Sequence, residues 1–149
     1  MKTRQFERED LPSILAIQHR SAGAARWQDS DYLRLASEPG GMIVVAELET
    51  MTPPKVLGFA AFQRLIDEAE LRNIAVDPDH LHQGIGKALL IEARKHLLKA
   101  GTKRLFLEVR KSNKPALALY YSAGFALLSE RKEYYRDPTE DAYVLSLQL

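Results

Sequence analysis

The sequence predicts an α/β fold, a mixed sheet covered by helices. Three observations predict it. The apolar pattern switches repeatedly between a period near two and a period near 3.6 residues. Read in order, the segments run β-α-α-β-β-β-α-β-α-β-β. One long helix also stands between two strand-like runs, residues 70–76 and 105–109, a unit that favours parallel pairing through a right-handed crossover. The other strands favour antiparallel pairing.

A first strand lies around residues 3–6. Asp10 is placed to cap a helix with Pro12 in its first turn, and Leu11, Ile14, Leu15 and Ile17 give that helix an apolar face. A second short helix covers residues 30–37 and stops before Pro39-Gly40-Gly41. Strands follow at 42–46 and 56–65, with residues 51–55 as a proline-containing loop between them. The strand at 70–76 ends at the turn signal Asp77-Pro78. The longest helix starts at Ile85, reaches about Ala100 and is closed by Gly101. Its residues Ile85, Leu89, Ala93, Leu97 and Ala100 share one face, with His96 at the edge and Ile91 and Leu98 opposite. After the strand at 105–109, Pro115 opens a helix that ends near Gly124. Strands 125–134 and 142–147 form a final antiparallel pair joined through Asp137-Pro138.

At 149 residues and 46% hydrophobic composition, the chain is expected to be one domain with a proper core. Its 21 basic and 20 acidic residues leave a net charge of +1, which argues against a dedicated nucleic-acid binder. The absence of cysteine excludes disulfides, thiolate zinc sites and a cysteine nucleophile. His80 and His82 share a turn with Asp77 and Asp79, but without regular ligand spacing, so no metal is expected. No secretory signal or membrane-length apolar run is present, so no membrane partner is expected and the expected compartment is the cytoplasm.

The turn His82-Gln83-Gly84-Ile85-Gly86-Lys87 joins a strand to the longest helix. Helix N-termini carry unpaired amides and a positive dipole end, and glycine lets a phosphate approach them closely. Leu81 and Ala88 stand where a Walker A loop needs Gly and Ser or Thr, and Leu89 stands where a dinucleotide fingerprint needs its third glycine. On its own the turn is a phosphate cradle or a tight turn with no ligand.

Its context is more specific. Asn73-Ile74-Ala75-Val76-Asp77-Pro78 followed by Gln83-Gly84-Ile85-Gly86-Lys87-Ala88-Leu89-Leu90 resembles the acetyl-CoA-binding motif of the GCN5-related N-acetyltransferase (GNAT) family. Leu107-Glu108-Val109-Arg110, Ser112-Asn113, Ala118-Leu119-Tyr120-Tyr121 and Gly124-Phe125 resemble that family's second block. Within the family the chain is most similar to the RimI-type enzymes, which acetylate the N-terminal alanine of a small-subunit ribosomal protein. Asp67-Glu68-Ala69, Trp27, and Tyr134-Tyr135 followed by Glu140-Asp141-Ala142 support that likeness. Two positions depart from the pattern. Leu81 replaces the usual Gln or Arg three residues before Gly84, and Lys111 replaces a residue that is often small. Residues 19–37, which shape the acceptor side, match poorly outside Trp27.

The resemblance implies a mostly antiparallel sheet of about seven strands with four helices and a splayed parallel pair at the acetyl-CoA site. It implies acetyl-CoA as cosubstrate, held by the backbone of His82, Gln83, Gly84, Ile85, Gly86, Lys87 and Ala88, by strand residues Ile74, Ala75 and Val76, and by Asn113 and Tyr120. The Val76 amide becomes the candidate donor to the thioester oxygen. Trp27, Asn73, Tyr134 and Tyr135 become candidate acceptor contacts, and Asp67, Glu68 and Glu70 either attract a basic peptide or form a solvated turn. Glu108 becomes the candidate base and Tyr120, twelve residues on, the candidate acid. A carboxylate with a reference pKa of about 4.3 needs burial or a water relay to serve as base, whereas an α-amine titrating near 8 gives up its proton more readily than a lysine near 10.4. From spacing alone, Glu108 is a strand residue paired with Arg104, Arg72 or Arg110, Tyr120 packs beside Leu117, and Asn113 caps its helix. The implied acceptor is a protein N-terminus, with a small amine or a non-catalytic acetyl-CoA-binding role as alternatives, and the chain acts as a monomer or homodimer.

Overall fold

The computed structural model describes all 149 residues. In chain order its elements are β1 (Lys2–Gln5), α1 (Leu11–His19), α2 (Asp29–Ser37), β2 (Gly41–Leu48), β3 (Lys55–Leu65), β4 (Glu68–Val76), α3 (Ile85–Lys99), β5 (Arg104–Arg110), α4 (Lys114–Ser122), β6 (Ala126–Tyr135) and β7 (Glu140–Gln148). This is the expected order. Two short 3-10 turns, Arg8–Asp10 and Pro78–His80, were not foreseen from the pattern.

One seven-stranded sheet runs β1-β2-β3-β4-β5-β7-β6. All neighbours are antiparallel except β4 and β5, the pair flanking α3. The sheet is therefore the mixed, mostly antiparallel one expected, with four helices. No helix is long and apolar enough to cross a membrane.

Strand alternation sends side chains to two separate cores. One face packs Leu57, Phe62, Leu71, Leu105 and Leu107 against Leu89 and Leu97 of α3 and Leu117 and Tyr120 of α4. The other packs Ile43, Val45 and Phe59 against Ile14 and Ile17 of α1 and Tyr32 and Leu35 of α2. Ile85, Leu89, Ala93 and Leu97 are buried as the helical spacing requires, and Ile91 and Leu98 are exposed. Ala100 is the exception. It is exposed because α3 ends at Lys99 and the chain turns away at Gly101, φ 84°.

Asp10 departs from its expected role. It makes no side-chain cap to α1. Its carboxylate instead accepts from the Glu7 amide at 2.8 Å and from both terminal nitrogens of Arg4 at 2.8 and 2.9 Å. Arg4 Nε also donates to Glu47 at 3.0 Å. Two buried carboxylates thereby share one guanidinium, which fastens β1 to β2 and to the start of α1.

Candidate active site

The site lies where β4 and β5 part. Their pairing covers only Glu68–Arg104, Ala69–Leu105 and Glu70–Phe106. Beyond that, β4 stays with β3 as far as Val76–Gly58, and β5 stays with β7 as far as Arg110–Ala142. Strands held by different neighbours in a twisted sheet diverge, so a wedge opens between them. The Asp77 amide bonds the Leu57 carbonyl at 2.7 Å. Antiparallel alternation then ties Ala75 to β3 and turns the amides and carbonyls of Ile74 and Val76 into the wedge. Of these three expected cofactor residues, two present backbone groups to the opening, while Ala75 is buried in the α1–α2 core.

After β4 comes the glycine turn. His82 and Gly84 both have positive φ, 62° and 78°. From His82 through Lys87 no amide donates to another group of the protein, and Ala88 is the first to do so, to the Gly84 carbonyl at 3.0 Å. Six consecutive unpaired amides thus stand at the N-terminus of a 15-residue helix, where the dipole adds positive partial charge. A Cβ on Gly84 would meet nothing within 4 Å, so this side of the turn is open. A Cβ on Gly86 would lie 2.9 Å from Leu119 Cδ2, so that glycine lets α3 start close against α4. These features fit an anionic phosphate group. The Ala88 amide is spent on the helix, and the exposed Leu81 adds no polar side chain.

On the far wall Asn113 does cap α4, its Oδ1 accepting from the Ala116 amide at 3.3 Å. Its Nδ2 lies beside Gly23, where an added Cβ would sit only 2.7 Å away. The α1–α2 segment therefore crosses the wedge from β4 to α4. It is pinned by Arg20 to Asp77 at 3.2 Å and Asp79 at 3.0 Å, and by the Ala25 amide to Asn73 Oδ1 at 3.0 Å. The Asn73 side chain is buried and fully engaged there, so it holds the segment in place and does not face the opening. Trp27 is half-buried, 5.0 Å from the Tyr32 ring, with the Arg72 guanidinium 5.7 Å from its own ring centroid.

Glu108 and Tyr120 approach from opposite faces of the sheet. Leu105, Leu107 and Val109 fill the α3–α4 core, which leaves Phe106 and Glu108 on the other face. Tyr120 is buried with its ring 5.7 Å from Phe125. Its hydroxyl has no partner within the protein, yet it is not sealed; the sealed and unpaired side-chain atoms are His80 Nδ1 and Thr102 Oγ1. Burial, and then the neighbouring Tyr135, push the Tyr120 phenol up from its ordinary value, so it stays protonated.

Glu108 pairs with Arg131 of β6, Nε to Oε1 3.5 Å, and not with Arg104, Arg72 or Arg110. The Glu108 carboxylate beside Tyr134 pushes that phenol up. Burial, followed by the Glu108 charge, pushes Tyr135 up to about 12. Glu108, Tyr120, Tyr134 and Tyr135 therefore share one electrostatic neighbourhood. Arg110 steadies it, stacking 4.5 Å from the Tyr135 ring centroid and donating to the carbonyls of Arg136 and Pro138 at 3.0 and 2.9 Å. Glu108 also lines an open groove of about 560 Å³ between β4 and β6. Arg131, and the Arg20 and Tyr32 contacts, escaped the sequence reading because each partner lies more than ten residues away in sequence.

A sequence profile of the Acetyltransferase (GNAT) family matches residues 6–125. The chain is 41% identical over 146 residues to the [ribosomal protein bS18]-alanine N-acetyltransferase of Escherichia coli strain K12, covering 97% of this chain and 95% of that protein. It is 37% identical over 144 residues to the enzyme of the same name from Salmonella typhimurium strain LT2, covering 94% and 92%. The crystal structure of the ribosomal-protein-S18-alanine N-acetyltransferase from Escherichia coli superposes with a TM-score of 0.85 at 36% identity, covering 99% of this chain and 92% of that one.

Proposed function

The chain belongs to the GNAT family of acetyltransferases, and from that premise we propose that it transfers acetyl from acetyl-CoA directly to the N-terminal α-amine of a protein, specifically the N-terminal alanine of a ribosomal protein of the bS18 kind. One observation carries this reading. The wedge between β4 and β5 has unpaired amides on the side of α3 and a carboxylate on the opposite face, so a phosphate-bearing donor and an amine meet through the sheet. The acceptor is supported by identity along nearly the whole chain to enzymes named for bS18. Such an acceptor places the reaction in the cytoplasm.

Acetyl-CoA supplies an activated thioester. The amides of His82 to Lys87 hold its pyrophosphate, while the backbones of Ile74 and Val76 bond its pantetheine arm like an added strand. Asn113 borders that arm through Nδ2. The Val76 amide polarises the thioester oxygen, a preorganised contact of a kind that contributes about 2.7–4 kcal/mol to the barrier. As the C–N bond forms and the C–S bond breaks, Glu108 takes the proton leaving nitrogen, directly or through a water. Tyr120 gives its proton to the departing sulfur, a role suited to a phenol kept protonated by burial. Trp27, Tyr134 and Tyr135 border the acceptor, and Asn73 fixes the segment that carries Trp27.

The test is acetylation of short peptides beginning with Ala, Ser, Met or Gly, beside matched peptides with blocked N-termini and free lysines. Transfer to the free α-amine alone, lost in Glu108→Gln, is the expected result. Binding of acetyl-CoA without transfer to any peptide would sink this proposal.

A further inference from the structure

We infer that Arg131 is a specificity-determining residue, whose guanidinium keeps the acceptor site selective for an unprotonated amine and thereby for an α-amine over a lysine ε-amine. The inference rests on Glu108 being the group that receives the acceptor's proton. Arg131 reaches across the sheet from β6, placing Nε 3.5 Å from Glu108 Oε1 and its guanidinium carbon 5.4 Å from the Tyr134 ring centroid. It is the one cation lining the groove, which also carries three carboxylates: Glu68 and Glu70 from β4 and Glu108 from β5. Val144 is the groove residue from β7, and it carries no charge. Around the groove stand Arg72, which donates to Gln63 Oε1 at 2.8 Å, Arg104, 5.4 Å from the Phe106 ring centroid, and Arg110 on the Tyr135 ring, none of them paired with Glu108. With them stand the phenols of Tyr134 and Tyr135 on β6 and Tyr120 on α4, all shifted toward their neutral forms.

Three carboxylates with no cation would hold an incoming ammonium as a counter-ion. An ammonium has no lone pair and cannot attack a carbonyl carbon. Arg131 is charged at every working pH, so it already supplies the counter-ion to Glu108 and repels a second cation. A neutral amine pays no such penalty. It enters with its lone pair free, and Glu108 receives the proton released as the C–N bond forms. Selecting the neutral form also discriminates between amines. With reference pKa values near 8 and 10.4, the neutral fractions of an α-amine and a lysine at neutral pH differ by about 250-fold.

The experiment measures kcat and KM for an Ala-initiated, lysine-free peptide between about pH 6.5 and 8.5, spanning the α-amine's titration. The enzyme is compared with Arg131→Gln and Arg131→Lys. For the unaltered protein, KM should rise by about tenfold for each unit below the amine's pKa, with kcat changing less. In R131Q the rise should fall to about threefold or less per unit, because the ammonium then binds as well. R131K keeps the charge and should keep the steep slope. An R131Q slope equal to that of the unaltered protein overturns the inference while leaving the α-amine reaction standing, provided E108Q remains inactive. Failure of the unaltered protein to acetylate any α-amine overturns both. Should R131Q melt before assay temperature, salt replaces the variant. Raising NaCl from about 0.05 to 0.5 M screens an exposed guanidinium and should flatten the unaltered protein's slope, and an unchanged slope would overturn the inference.

Discussion

Asn73 Nδ2 donates to the Tyr32 hydroxyl at 2.9 Å, joining the strand wall of the active site to the helix that follows the segment over it. The Tyr32 hydroxyl in turn donates to Gln18 Oε1, and Gln18 Nε2 donates to the Trp27 carbonyl at 2.8 Å. Together with the Arg20 and Ala25 contacts, this run of hydrogen bonds fixes the segment between α1 and α2. Tyr32→Phe takes the hydroxyl from both Asn73 Nδ2 and Gln18 Oε1, which keep their long 3.5 Å contact with each other, so the loss should be about 1 kcal/mol by urea unfolding. Acceptor KM should rise several-fold while acetyl-CoA affinity stays within about twofold, a shift below 0.5 kcal/mol. Equal losses in both would show that Tyr32 supports the whole fold and not this segment in particular.

Gly84 should be needed for its conformation and for the space beside it. Alanine at φ 78° carries a left-handed strain of about 1–2 kcal/mol, yet its Cβ would touch nothing in the protein. In the proposed complex, that open side is where a phosphate would approach the unpaired amides. Gly84→Ala should therefore weaken acetyl-CoA binding by about tenfold, or 1.4 kcal/mol, in a calorimetric titration. Gly101→Ala is the control. It has φ 84° and equally open surroundings at the other end of α3, so it should show the strain with no change in affinity.

Features set by local chemistry were legible in the sequence. Pro115 in the first turn of α4, Gly101 after α3 and the apolar stripe of Ile85, Leu89, Ala93 and Leu97 depend on near neighbours, and each was read correctly. The Asn113 cap was legible for the same reason. Asp10 misled because a carboxylate before a helix has two outlets, the helix amides or a distant cation, and only the folded chain brings Arg4 to it. Glu108 was legible as an acid between apolar strand neighbours, but its cation was not. The partner Arg131 reaches it from β6, and β7, which follows β6 in sequence, lies between that strand and β5 in the sheet. The splay of β4 from β5 was implied by resemblance alone. No residue pattern encodes where two strands stop pairing when each keeps its other neighbour.

Arg4 offers a test of stability away from the chemistry. Its guanidinium serves the buried carboxylates of Asp10 and Glu47 together, at 2.8 to 3.0 Å. Arg4→Ala would leave both without a counter-charge, and stranding a buried charge costs about 3–5 kcal/mol. Urea unfolding should register a loss of that size. The variant that remains folded should keep its KM for both substrates, because no contact of Arg4 reaches the wedge. An altered peptide KM would mean that strain at β1 is transmitted to the α1–α2 segment.

Tyr120→Phe should separate catalysis from packing. The ring is held against Phe125, but the hydroxyl bonds nothing in the protein, so its removal breaks no internal hydrogen bond. Stability at neutral pH should change by no more than about 0.5 kcal/mol. As a general acid, the hydroxyl should be worth about 10²–10⁴ in kcat. The pH dependence has a fixed sign. Burial raises the folded-state pKa of Tyr120 above its unfolded value, so the folded protein holds that proton more tightly. The resulting stability is fully present below about pH 10 and is lost as pH rises past it. Tyr32 and Tyr135 are shifted the same way and contribute to the same alkaline loss. Melting curves at neutral pH and near pH 10.5 should therefore differ less for Tyr120→Phe than for the unaltered protein. The acid's own titration should leave kcat level through the physiological range. A variant that loses stability at neutral pH in step with its activity would assign Tyr120 to packing, and the proton for the departing thiolate would then have to come from elsewhere.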